Sequence, residues 1–277
     1  MHLPPQPLRT RLVNTGHIEL WPACLLRARG NTDARAIAQS HTVLRRKRDG
    51  RYLATVRDEG VLALVPRLAR EPGIDEALDA LAADEAHPGR GPLPPPGFLP
   101  LERLQQRLAA LGIDAEAYES RTGLEPLPEP EWLAFAGRDR WQRPLWLLPG
   151  AARAWLAMRR AAGADGVALE AISGYRSHDY QLGIFERKLA RGQTLDRILT
   201  VNAAPGYSEH HDGRALDIGT PGEPPAEESF ESTAAFAWLQ AHAAAFGFRM
   251  SYPRDNPHGI VYEPWHWRFH GDAGAAA

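Results

Sequence analysis

The sequence is short of several features that would announce a chemistry at once. It has one cysteine, Cys24, in 277 residues. No disulfide can form within the chain and no cysteine-based zinc site can be built. With no Cys-His constellation around it, Cys24 is expected to be a buried structural thiol. No stretch is apolar enough to span a bilayer. The start, Met1-His2-Leu3-Pro4-Pro5, lacks the basic segment and apolar run of a signal peptide, which predicts a cytoplasmic protein; a trimmed start or unconventional export would place it in the periplasm instead. The net charge is only −2, too small for broad capture of nucleic acid or membrane. There is no His-Glu-x-x-His helix and no internal repeat.

Hydrophobic residues make up 44% and charged residues 24%, the composition of a globular protein. With 25 Gly and 24 Pro, long irregular connections are expected. Residues 12–65 read as strand-rich. His41-Thr-Val-Leu-Arg-Arg and Arg51-Tyr-Leu-Ala-Thr-Val flank Asp49-Gly50, a tight-hairpin signal. The basic run Arg45-Arg46-Lys47-Arg48 beside it reads as a solvated arm rather than a contact for anionic polymers. Ile74, Leu78 and Leu81 predict a short amphipathic helix. The segment from His87 to Gly97 is too rich in Pro and Gly for helix or central strand and reads as a linker. Leu101, Leu104, Leu108 and Leu111 then form a helical core stripe ending near Gly112. A second proline-rich stretch, Glu125 to Pro130, leads into a segment containing Trp132, Trp141 and Trp146.

Signals are denser after about Pro149. Helices are predicted over 151–162, with Trp155 and Met158 buried, and over 177–192, with Leu182, Phe185 and Leu189 inward. A third covers 233–246, closed by Gly247. Val167–Ser173, Ala215–Ile218, Phe248–Tyr252 and Gly259–Glu263 read as strands. Helices interspersed with short strands predict an α+β domain. The expected division is a strand-rich region of unknown role over 1–86, a proline-rich linker with a helix over 87–130, and the main domain over 131–277.

Two segments concentrate metal-binding residue types. One is Ser208-Glu-His-His-Asp-Gly-Arg-Ala-Leu-Asp217; the other is Glu263-Pro-Trp-His-Trp-Arg268. A catalytic zinc takes three nitrogen or oxygen ligands and keeps one position open. His210, Asp217 and His266 could supply two imidazoles and a carboxylate, and Glu263 could move protons at the metal-bound water. Each piece alone is ordinary. The chain has 11 histidines, of which His211, His258 and His270 lie close enough to be decoys, and Asp217 could simply cap a turn. Arg176 could serve a structural ion pair and Gln181 could face solvent.

The joint pattern is more specific. Ser173-Gly-Tyr-Arg-Ser177 with Gln181, then Ser208-x-His210-x-x-Gly213-x-Ala215-x-Asp217, then Glu263-x-x-His266 with Arg268, resembles the VanY-type D-alanyl-D-alanine carboxypeptidase family. Tyr252-Pro253 adds to the likeness, which covers residues 145–271. The resemblance implies Zn2+ bound by His210, Asp217 and His266, with Glu263 as general base. It implies a catalytic and substrate-binding Arg176, with Gln181 and Ser208 beside it around the terminal D-alanine. Trp265 is expected to wall the pocket, and Trp267 to pack near the metal. The implied fold is a compact C-terminal zinc-peptidase domain, with helices on a small, mainly antiparallel sheet and a separate strand-containing N-terminal region.

The implied function is removal of terminal D-alanine from a peptidoglycan stem peptide or its precursor. Three alternatives use the same fold: an L,D-carboxypeptidase acting on tetrapeptides, a peptidoglycan-binding module, and an endopeptidase. A retained Glu263 argues against the module. A clamp for a free carboxylate at Arg176 argues against the endopeptidase.

Overall fold

A computed structural model describes residues 10–28, 30–86 and 94–271. Residues 87–93 of the expected linker lie outside them. The chain forms two compact units, Met1–Leu99 with Pro130–Phe135, and Pro100–Glu129 with Ala136–Ala277. These bounds differ from the expected tripartite division, because the leucine-stripe helix belongs to the second unit.

The first unit is built on antiparallel strands: β1 (Arg11–Asn14), β2 (Ile18–Pro22), β3 (Thr42–Arg46), β4 (Tyr52–Arg57) and β5 (Gly60–Ala63). They lie in the order β5-β4-β3-β2-β1, with β6 (Trp132–Arg138) against β1 in the register Leu12↔Leu133. Helix α1 (Asn31–Ala38) follows β2, and α2 (Ile74–Ala86) follows β5. Ile18, Leu44 and Leu53 from the strands meet Ile74, Ala77 and Leu81 of α2 in one core. The β3–β4 hairpin forms where Asp49-Gly50 predicts it, but its loop is longer than a two-residue turn. The basic run is largely neutralised rather than solvated. Arg45 pairs with Glu19 at 2.6 Å, Arg46 with Glu71 at 2.8 Å and Asp49 at 2.6 Å, and Lys47 is buried. Cys24 is exposed, not buried. It sits in a single 3-10 turn, Ala23–Leu25, where Ala23 takes the inward position.

The second unit is the expected α+β arrangement. Its four-stranded sheet runs β10-β11-β9-β8, from β8 (Glu170–Ser173), β9 (Ala215–Gly219), β10 (Phe248–Met250) and β11 (His266–Phe269), every neighbour antiparallel. A shorter strand, β7 (Pro144–Leu147), lies beside the end of β6. The helices are α3 (Leu104–Ala110), α4 (Ala115–Thr122), α5 (Pro149–Ala164), α6 (His178–Ala190), α7 (Leu195–Leu199) and α8 (Ala234–His242). Pro at the start of α5 suits a position whose N–H would be unpaired anyway, and Trp155 and Met158 on its inner face are fully buried. Arg107 of α3 donates to Asp179 in the first turn of α6 at 2.8 Å, within a buried ion pair. That pair, with Leu104 and Leu108 packed in the core around Phe185, is why α3 belongs to this unit.

Two expectations fail locally. Residues 259–263 are irregular, and the strand begins three residues later at His266. Asn256 Nδ2 donates to the Ile260 carbonyl at 2.7 Å, satisfying it without a strand partner, and Pro264 delays the ladder. Leu189 is exposed at the end of α6, while Phe185 is fully buried. Phe185→Ala is therefore expected to cost about 3–5 kcal/mol, through lost burial and a cavity, read as a lower urea midpoint. Leu189→Ala should leave the midpoint nearly unchanged. No helix among the described residues is long and apolar enough to cross a membrane.

Candidate metal centre and substrate pocket

The sheet register builds the centre. β11 pairs with β9 so that His266 stands directly opposite Asp217, and opposed residues on one face bring their side chains together. His210 comes from the 3-10 turn Glu209–Asp212 just before β9. Gly213 ends that turn at φ 71°, a left-handed conformation that glycine adopts without a Cβ clash, and the chain then enters β9.

One ligand atom from each of His210, Asp217 and His266 lies within 4.8 Å of the others, the one such group among the described residues. His210 Nδ1–H donates to the Gly174 carbonyl at 2.7 Å. This turns Nε2 inward, 3.3 Å from Asp217 Oδ2, where it is buried and makes no hydrogen bond. Burial, with Arg176 nearby, pushes His210 down to about 4, so its imidazole is neutral and the Nε2 lone pair is open. His266 Nδ1 lies 3.1 Å from Asp217 Oδ1, and its Nε2 donates to Glu209 Oε2 at 2.9 Å. Burial opposes charge on Asp217, but His266, within hydrogen-bond reach of its Oδ1, holds the carboxyl below the ordinary range. Two nitrogens and a carboxylate facing one point, with a buried lone pair unused, fit a zinc ion.

Glu263 lies beside the trio, its Oε2 3.8 Å from His266 Nδ1. Burial pushes its carboxyl up to about 7, against the pull of His266. Its backbone N–H donates to the Tyr252 carbonyl at 3.0 Å, and the Tyr252 ring lies 4.8 Å from the His266 ring.

A cavity of about 300 Å³ opens over these groups, lined also by Arg176, Gln181, Ser208, Trp265 and Tyr252. Arg176 follows β8 by three residues, and Gln181 lies in the first turns of α6, whose N-cap is Ser177 accepting from the Tyr180 amide at 3.1 Å. Gln181 is anchored by its Nε2, which donates to the Ala203 carbonyl at 2.9 Å. Its Oε1 and Arg176 Nε are buried without hydrogen-bond partners. Gln181 is thus not a solvent-facing helix residue. The sequence-selected residues all converge on one cavity. Of the decoys, His258 Nδ1–H donates to the Thr122 carbonyl at 2.8 Å and His270 is exposed. Trp267 is buried and donates to the Pro264 carbonyl at 3.0 Å.

Residues 145–272 match the family model described as VanY, D-alanyl-D-alanine carboxypeptidase. The chain is 31% identical over 132 residues to the bifunctional D-Ala-D-Ala dipeptidase and D-Ala-D-Ala carboxypeptidase VanXYC of Enterococcus gallinarum, covering 46% of this chain and 68% of the relative. The chain belongs to the VanY family. YodJ of Bacillus subtilis (strain 168) is 34% identical over 184 residues, 63% of this chain and 65% of YodJ, a longer stretch than the family model covers. Among solved structures, the LdcB LD-carboxypeptidase shares 36% identity with a TM-score of 0.44, covering 46% of this chain and 61% of that one. The chain thus spans just under two thirds of YodJ and of LdcB.

One residue of this VanY-family site escaped the sequence reading. Glu209, between Ser208 and His210, resembles any surface acid in sequence. In the structure it joins His266 Nε2 to Arg268, whose Nη1 lies 3.4 Å from Glu209 Oε1. Burial alone would raise Glu209, but His266 and Arg268 hold it down at about 2. A half-buried carboxylate on the far nitrogen of His266 fixes the ring and its tautomer.

Proposed function

We propose that this chain is a zinc-dependent carboxypeptidase that removes the terminal D-alanine of peptidoglycan stem peptides. One observation carries the reading: an open His-Asp-His trio shares a cavity with Arg176 Nε and Gln181 Oε1, two buried polar atoms that make no hydrogen bond. Buried polar groups left open in one cavity are the mark of a ligand site.

His210, Asp217 and His266 would hold the zinc, which when bound supplies Lewis acidity and activation of water. Glu263 takes the proton of the attacking water and returns it to the leaving D-alanine amine. A carboxyl poised near 7 can do both. The Arg176 guanidinium takes the substrate's terminal carboxylate, with Gln181 and Ser208 supplying neutral hydrogen bonds that orient the last residue. Trp265 walls the pocket. Membership of a D-alanyl-D-alanine carboxypeptidase family supports D-alanine as that residue.

Alanine release from defined tri-, tetra- and pentapeptides tests the proposal. Release from a pentapeptide ending in D-alanyl-D-alanine is the expected result. Release from the tetrapeptide alone would make the enzyme an L,D-carboxypeptidase, and binding without release would make it a recognition module. Glu209→Gln is expected to weaken zinc binding about tenfold to a hundredfold, read by competition with a chromogenic chelator. Unchanged affinity would leave Glu209 with no part in holding His266.

A further inference from the structure

Arg176 does not rest on its own side chain's contacts alone. Its backbone is built into a buried circuit of hydrogen bonds that closes through His211. The His211 imidazole is fully buried and lies 2.7 Å through Nδ1 from the Arg176 carbonyl oxygen, and 3.0 Å through Nε2 from the Gly206 amide nitrogen. An amide N–H can only donate, so Nε2 must be the bare nitrogen. Nδ1 therefore carries the hydrogen and donates to the Arg176 carbonyl. Both partners demand one neutral tautomer, and no capacity is left over for a metal.

The two segments that His211 joins each carry a residue that lines the pocket. One is the turn bearing Arg176; the other leads from Gly206 to Ser208 at the start of the 3-10 turn. Gly206 is itself immobilised. It has φ +93°, and a Cβ there would collide with Leu104. Its carbonyl accepts from the Leu127 amide at 2.7 Å. The Leu127 carbonyl in turn accepts from His178 Nε2 at 2.8 Å, and the His178 ring meets the His211 ring edge-on at 4.4 Å. Glu129 completes the frame by accepting from the His178 amide at 2.8 Å and the Tyr175 hydroxyl at 2.7 Å. The proline-rich stretch 125–130, which reads as a connection in the sequence, thus braces the turn on both sides of Arg176.

We propose that His211 is a positioning residue: it sets the separation of these two segments and so aims Arg176. What Arg176 is aimed at, a terminal carboxylate, rests on the function proposed above. The physical argument is one of reach. A bidentate guanidinium contact tolerates little displacement of its backbone, and His211 is the strut that transmits the position of the Gly206 segment to Arg176.

The test uses the full chain loaded with zinc and a peptide ending in free D-alanine. His211→Leu removes both hydrogen bonds with similar bulk. It is expected to raise KM about tenfold or more, since two buried partners lose their hydrogen bonds, while kcat and zinc content stay close to the parent. His211→Gln presents a donor and an acceptor at nearly the spacing of the ring nitrogens and should restore KM. In an Arg176→Ala background, His211→Leu should add almost nothing, because its effect runs through Arg176. Equal losses in both backgrounds would overturn the proposal, as would a fall of kcat and zinc content alongside the rise in KM that glutamine does not rescue. If Arg176→Ala harms free-acid and amidated peptides alike, the carboxylate reading fails, yet the coupling of positions 211 and 176 still decides whether His211 positions Arg176. Should His211→Leu not fold, His211→Asn, whose shorter amide reaches one partner only, is put through the same cycle with the same deciding outcomes.

Discussion

Glu263→Ala is expected to lower kcat about a hundredfold or more while one zinc per chain stays bound. A hundredfold corresponds to about 2.7 kcal/mol of lost transition-state stabilisation. The proposed ligand trio remains complete without Glu263, because its carboxylate stands 3.8 Å from His266 and outside the three-residue group. What is lost is the group proposed to carry a proton from water to the departing amine. Burial pushes that carboxyl up from its ordinary value, which favours its taking a proton. Two measurements on the same sample decide the matter, turnover and metal content. Near-normal turnover would mean that another group moves the proton. Zinc lost together with activity would make Glu263 a ligand.

Arg176→Ala should reduce kcat/KM for a free-acid peptide by about tenfold to a hundredfold, and change little for the same peptide amidated at its C-terminus. The guanidinium gains from a carboxylate only when one is present. Against an amide, its donors in the cavity stay unpaired, at about 1–3 kcal/mol or more. Substrate and residue thus form the two partners of a double-mutant cycle. Equal losses on both peptides would make Arg176 a support of the fold or the transition state. Ready cleavage of the amidated peptide by the parent enzyme would point to an endopeptidase.

The chemistry of the site was written more openly in the sequence than the fold that assembles it. His210, Asp217, Glu263 and His266 stand in two short motifs, and residue type with spacing is enough to select them. Their meeting depends on β9 and β11 pairing across about fifty residues, which no local pattern encodes. Gly259-Ile-Val-Tyr-Glu263 shows why local pattern misleads: it has strand composition, yet Asn256 and Pro264 keep it out of the ladder. Glu209 was hidden because its role is set by where the far nitrogen of His266 points. His211 reads as a spare histidine beside a ligand, since its two partners are backbone groups, which leave no trace in residue identity. In the first unit the β3–β4 hairpin is local and legible. The pairing of β1 with β6 joins residues 11–13 to 132–134, and nothing near either strand foretells it. Helix α3 reads as part of a linker because proline surrounds it, but a buried arginine–aspartate pair settles its allegiance.

The facing of Asp217 and His266 across β9 and β11 has a consequence for how the sheet finds its alignment. Side chains alternate between the faces of a strand, so a slip of one residue in this pairing would carry His266 to the opposite face. Ligands on neighbouring strands then could not meet. An ion that binds only the correctly aligned pair lowers the free energy of that alignment alone, by an amount set by its affinity and concentration. The centre would therefore act as a proofreader of strand pairing: misaligned chains cannot capture the ion, and aligned ones are held in place by it.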